Sequence, residues 1–139
     1  LFFNCHFDAS TVSAVMGFGD SLVDIVGHTI VNDATSIDRH VCFFIDDGVL
    51  FASNADGTTQ TKTDISSGIT LTNWNSFRIS YTAAGNILFY VNGVLKATHS
   101  TNQPTGSTNF RPVFGVETRT GTNREMHIGI VAPFYQKST

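Results

Sequence analysis

The residues of this 139-residue chain best suited to holding a ligand are its one tryptophan, Trp74, and the polar run Arg119-Thr-Gly-Thr-Asn-Arg124. An indole face is a common platform for a sugar ring, because its apolar surface stacks on the ring's C–H groups. Arg119, Asn123 and Arg124 carry donors that could reach sugar hydroxyls. Loop tips on a rigid scaffold are where binding residues concentrate, though a well-solvated hairpin loop has the same composition. Tyr81, Tyr90 and Tyr135 are weaker candidates for stacking. A second set, Asp46, Asp47, Asn54 and Asp56, gathers oxygen atoms around two turns. Calcium takes about six to eight oxygens, and this spacing follows no known calcium loop. Asp-Gly pairs also make turns unaided, since Asp tolerates the left-handed region and Gly supplies positive φ.

Other chemistries find less support. Retaining glycoside hydrolysis needs two carboxyl groups about 5–5.5 Å apart. Glu117 and Glu125 are the only glutamates, they flank a turn-rich segment, and neither has an acid two or four residues on. Asp46 and Asp47 are adjacent, so a strand would point them in opposite directions. His6, His28, His40, His99 and His127 show no metal-ligand spacing, and His99 and His127 read as solvated or hydrogen-bonded near strand ends. Cys5 and Cys42 fall in expected strands, outside any Cys-x-x-Cys pattern, and read as buried free thiols rather than a disulfide. Gly17-Phe-Gly19 is no phosphate loop.

The elements that would position these residues are strands. Phe77, Ile79 and Tyr81 alternate with Arg78 and Ser80, and Asn92-Gly93 fits a type I′ reversal between antiparallel strands. Strands are predicted at Leu1–Phe7, Val12–Phe18, Val23–Val31, His40–Ile45, Val49–Asn54, Thr58–Asp64, Asn75–Thr82, Ile87–Val91, Val94–His99, Phe110–Thr118 and Glu125–Tyr135. Turn compositions separate several of them, at Asp47-Gly48, Ala55-Asp56-Gly57 and Ala83–Asn86. Thr101–Asn109 reads as a longer polar loop. Val41–Ile45 and Ile87–Val91 are apolar throughout, which predicts burial on both faces and a covering element or subunit.

Composition agrees with one all-β domain: 41% hydrophobic, 14% charged, with 12 Phe and 12 Gly. The net charge of −3 and the scattered basic residues leave no electrostatic footprint for nucleic acid. No apolar run approaches the roughly 20 residues of a membrane-spanning helix. A chain starting at Leu1 reads as a processed product or an excerpt of a longer polypeptide.

From Trp74 to Tyr135 the order of motifs resembles the second half of a concanavalin A-like lectin/glucanase or laminin-G-like domain. A Trp-led strand is followed by Phe89-Tyr-Val-Asn-Gly93, a Pro-containing loop, Pro112-Val-Phe-Gly-Val116 and Met126-His-Ile-Gly-Ile-Val131. The stretch Phe43–Thr61, with Ala55-Asp-Gly-Thr-Thr-Gln-Thr61, is similar to jelly-roll modules of tailed-bacteriophage fibres and other virion structural proteins. The resemblance implies a two-sheet antiparallel β-sandwich of jelly-roll type and packs Trp74 against the sandwich. Laminin-G-like relatives often bind calcium through loop acids, and the resemblance makes Asp46, Asp47 and Asp56 the candidates for such a role here. The glycanase members' Glu-x-Asp-x-x-Glu pattern is missing, so the expectation is a non-enzymatic module. It would sit on a virion surface, associate as a trimer with itself and with other virion proteins, and recognise host-surface polysaccharide. A carbohydrate-binding module of a secreted bacterial polysaccharide-processing protein and a purely architectural virion domain are the alternatives.

Overall fold

Two dipeptides set the local geometry of the computed structural model, which describes residues 1–20, 39–106, 110–117 and 122–132. Asp47 and Gly48 have φ of 48° and 83°, and Asn92 and Gly93 have 52° and 78°. Two consecutive positive φ values are the type I′ signature, whose twist matches that of the flanking strands. The first pair joins β3 (His40–Asp46) to β4 (Val49–Ala55), and the second joins β7 (Ile87–Val91) to β8 (Val94–His99). Asp56 closes the next turn. Its Oδ1 accepts from the Thr58 and Thr59 backbone N–H groups, both at 2.8 Å. That delays β5 to Gln60–Asp64, later than the expected start at Thr58.

The remaining strands are β1 (Phe2–Phe7), β2 (Ser13–Gly19), β6 (Asn75–Tyr81), β9 (Arg111–Glu117) and β10 (Met126–Ala132). They form two antiparallel five-stranded sheets: sheet A in the order β10-β1-β6-β7-β8, and sheet B in the order β5-β4-β3-β2-β9. The molecule is an all-β two-sheet sandwich. Val23–Val31 lies outside the described residues, as do Thr118 and residues 133–135 of the expected final strands. Glu125 precedes its strand rather than opening it.

Period-two alternation puts Phe3, Cys5 and Phe7 of β1, Phe77 and Ile79 of β6, and Ile87 and Phe89 of β7 on the inner face of sheet A. Met16, Val41, Phe43, Ile45, Leu50 and Ala52 answer from sheet B. Phe43 is the hub, with ring centroids 5.0 Å from Phe77, 5.4 Å from Phe89 and 6.3 Å from Phe3. All three contacts are edge-to-face, the arrangement that ring quadrupoles favour.

One polar network also crosses between the sheets. The His99 ring, 4% exposed, has Nδ1 2.6 Å from Asn54 Oδ1 and Nε2 2.9 Å from Thr63 Oγ1. Asn54 Nδ2 donates to the Thr101 and Asn102 carbonyls at 2.8 and 2.6 Å, which orients its Oδ1 toward His99. His99 must therefore donate through Nδ1–H. Burial pushes its pKa below the usual imidazole value and favours the neutral ring, so Nε2 accepts from Thr63. His99 is thus hydrogen-bonded but not solvated.

β3 is buried from His40 to Ile45, as its unbroken apolar run predicts. Cys42 and Phe44 join Val15 and Val113 in a second cluster on the outer face of sheet B, with Phe51 against it. The Lys62 ammonium lies 4.5 Å from the Phe51 centroid. β7 departs from the same expectation. Its burial alternates, with Leu88 and Tyr90 half-buried on the outer face of sheet A. Cys5 and Cys42 are free and buried, in different sheets and on faces that never meet. Burial lifts the Cys5 thiol to about 12 and raises that of Cys42 further.

Candidate functional site

The outer face of sheet A carries the site. Asn75 is buried and turned inward, its Nδ2 donating to the Thr70 and Asn73 carbonyls, so its neighbour Trp74 emerges on the opposite face. Trp74 is 57% exposed. The expectation that its indole packs into the sandwich is therefore corrected: it lies across the outside of the sheet. The cause is register, because β6 commits Asn75, Phe77 and Ile79 to the interior.

Two strands, β1 and β10, hold the indole. His6 of β1 meets it edge to face at 4.5 Å between ring centroids. His6 and His127, register partners on β1 and β10, stack in parallel at 4.5 Å and 2°. His127 Nε2 lies 3.1 Å from Glu125 Oε2. Beneath the indole is Gly129, where a Cβ would sit 3.3 Å from Trp74 Cζ3 and 3.6 Å from Asn4 Cβ. The bare glycine backbone lets the indole approach β10 closely. The result is a solvent-facing ledge of three aromatic rings with a carboxylate at one end.

Asn123 and Arg124 lie on the approach to β10, just before Glu125. Glu125 N–H donates to Asp8 Oδ1 at 3.0 Å, and Asp8 N–H donates to the Glu125 carbonyl at 3.2 Å. This pins the approach to β10 beside the end of β1. Asn123 is exposed, and Arg124 is half-buried with its Nε lacking a hydrogen-bond partner among the described residues. Arg119 lies outside the described residues.

Farther along the face, alternation continues Trp74 through Ser76 to Arg78. Arg78 pairs in register with Phe2 on one side and Tyr90 on the other. Its guanidinium lies over the Tyr90 ring at 3.8 Å. Phe2, Ser76, Arg78, Tyr90 and Gly93 line an open groove of about 330 Å³. Asn4 stands opposite Ser76 between the ledge and the groove.

The calcium candidates are not brought together. Asp46 and Asp47 sit at one end of β4 and Asp56 at the other, with the seven-residue strand between. At about 3.3 Å per residue they are some 20 Å or more apart. Asn54 is turned into the core on His99. The Asp56 carboxyl is held below its usual range, first by the Thr59 and then by the Thr58 backbone N–H. No group of three or more His, Cys, Asp or Glu side chains placed to hold a metal ion occurs among the described residues. Glu117 ends β9, an edge strand of sheet B, and Glu125 precedes β10, an edge strand of sheet A.

Sequence reasoning selected Trp74, Asn123 and Arg124 but missed His6, His127, Phe2 and Arg78. The outward phase of Arg78 was visible in the alternation of β6, whereas the neighbours from β1 were not. No protein-family model matches this chain, and no curated protein is similar to it in sequence.

Proposed function

We propose that this domain is a non-enzymatic recognition module of a virion surface, which presents the outer face of sheet A to host-surface polysaccharide. The observation that carries the reading is Trp74, packed close to Gly129 and against His6 while 57% exposed. A large aromatic ring kept in solvent against two strands is a binding feature, because it offers an apolar face beside polar groups. Asn4 and Ser76, register partners on β1 and β6, supply hydrogen-bonding groups on the same face, and Asn123 and Arg124 precede β10. The virion setting follows from the concanavalin A-like and phage-fibre resemblance of residues 40–135, as does assembly into trimers. A shallow face of this kind binds weakly per site, and oligomeric display raises the avidity.

A purely architectural role is the second reading. Val94 and Leu95, 58% and 48% exposed on edge strand β8, favour it as a contact for another virion protein.

The test is binding of labelled, multivalently displayed domain to candidate host cells, with and without excess extracted polysaccharide. Trp74→Ala should weaken binding about tenfold or more at an unchanged unfolding midpoint. Binding that resists competition by polysaccharide supports the architectural reading instead, and absence of binding sinks the recognition role.

A further inference from the structure

We infer that the groove between β1, β6 and β7 accepts the carboxylate of an acidic sugar, which makes uronic-acid-containing polysaccharide the ligand class of this face. The inference rests on the recognition reading above and deepens it. The groove holds one charged side chain, Arg78, and among the described residues that side chain has neither a carboxylate nor a hydrogen-bond acceptor. This is notable in a chain of net charge −3, where acids outnumber bases by eleven to eight. Surface arginines in such a chain have acids available to pair with; Arg39, for one, sits 3.6 Å from Asp20.

Arg78 is also preorganised. Packing over the Tyr90 ring at 3.8 Å restrains its guanidinium, whose N–H groups have no hydrogen-bond acceptor among the described residues. A guanidinium fork matches a carboxylate in two parallel charge-assisted hydrogen bonds, stronger than those it makes to the hydroxyls of a neutral sugar. Phe2 closes the other flank in register, and Ser76 adds a hydroxyl on the side of Trp74. Arg78 is four residue steps along the strand from Trp74, about 13 Å. A short oligosaccharide spans that distance, with one residue stacked on the indole and an acidic residue at Arg78.

The experiment uses oligosaccharides of alginate, a polymer of uronic acids, and the same oligosaccharides after chemical reduction of every carboxyl to a primary alcohol. Binding of the multivalent domain, Arg78→Gln, Arg78→Lys and Trp74→Ala is measured against both. The wild type should bind the acidic form about tenfold or more tightly, with the difference shrinking as salt rises. Arg78→Gln should bind both forms as weakly as the wild type binds the reduced one. Arg78→Lys should keep only part of the preference, because it retains the charge without the fork. Trp74→Ala should lose both ligands. Equal binding of the two forms by the wild type, with Trp74→Ala still defective, overturns the acidic specificity and leaves sugar recognition standing. Wild-type binding to neither form overturns the acidic specificity, and competition by host polysaccharide then decides recognition separately.

Discussion

His99 carries the clearest single-residue consequence. Its neutral ring is wedged among Asn54, Thr63 and Phe89. The pKa is lowered in the fold, so below the ordinary imidazole value of about 6.5 the unfolded chain takes up a proton that native His99 resists. His99 therefore contributes full stability above that pH and loses it as the pH falls through it toward the folded pKa. Urea midpoints measured from pH 7.5 down to 5 should decline, and His99→Gln should flatten the decline. The same substitution should cost about 1–3 kcal/mol at pH 7.5, because it disturbs a buried acceptor and a buried hydroxyl. An unaltered pH slope in the variant would assign the decline to other groups. The sequence marked His99 as a strand-end residue with a hydrogen bond, but its partners come from β4 and β5 of the other sheet, which no local spacing reveals.

Among the elements, the hairpins were legible and the neighbours across β1 were not. Asp47-Gly48 and Asn92-Gly93 carry their turn geometry in the residues themselves, so β3–β4 and β7–β8 can be read directly. The ledge depends instead on strand order. β1 lies between β10 and β6, and only that placement brings His6 to both His127 and Trp74. The Trp74 expectation failed for a related reason, since the residue sits one position ahead of a strand whose phase was correctly read. Gly129 offers a test of how the ledge is built. Gly129→Val introduces bulk where a Cβ alone would stand 3.3 Å from the indole. The emission of the sole tryptophan should shift and polysaccharide binding should weaken. Thermal stability should hold or rise, because valine suits a strand and the indole can tilt outward. An unchanged spectrum would place the indole away from β10.

At the scale of the whole molecule, the core separates the two sulfhydryls and seals both. Cys5 faces the interior beside Met16, its Sγ 3.3 Å from the thioether, and Cys42 lies under the outer cluster of sheet B. With relative exposures of 0% and 1% and thiol pKa values raised by burial, neither supplies a thiolate near neutral pH. A thiol-reactive reagent should label neither in the native state and both in denaturant. Rapid native labelling of Cys42 alone would show that the outer face of sheet B opens independently of the core. The pairing of β1 with β10 has a mechanical consequence. Phe2 lies opposite Ala132, so the strands run antiparallel with the start of one beside the end of the other. Tension applied between Leu1 and Ala132 loads their backbone hydrogen bonds in succession, and β10, an edge strand held on one side, peels like a zip at low force. The remaining sandwich keeps β1 clamped to β6, so a tether drawn through that corner would yield one strand before it yields the domain.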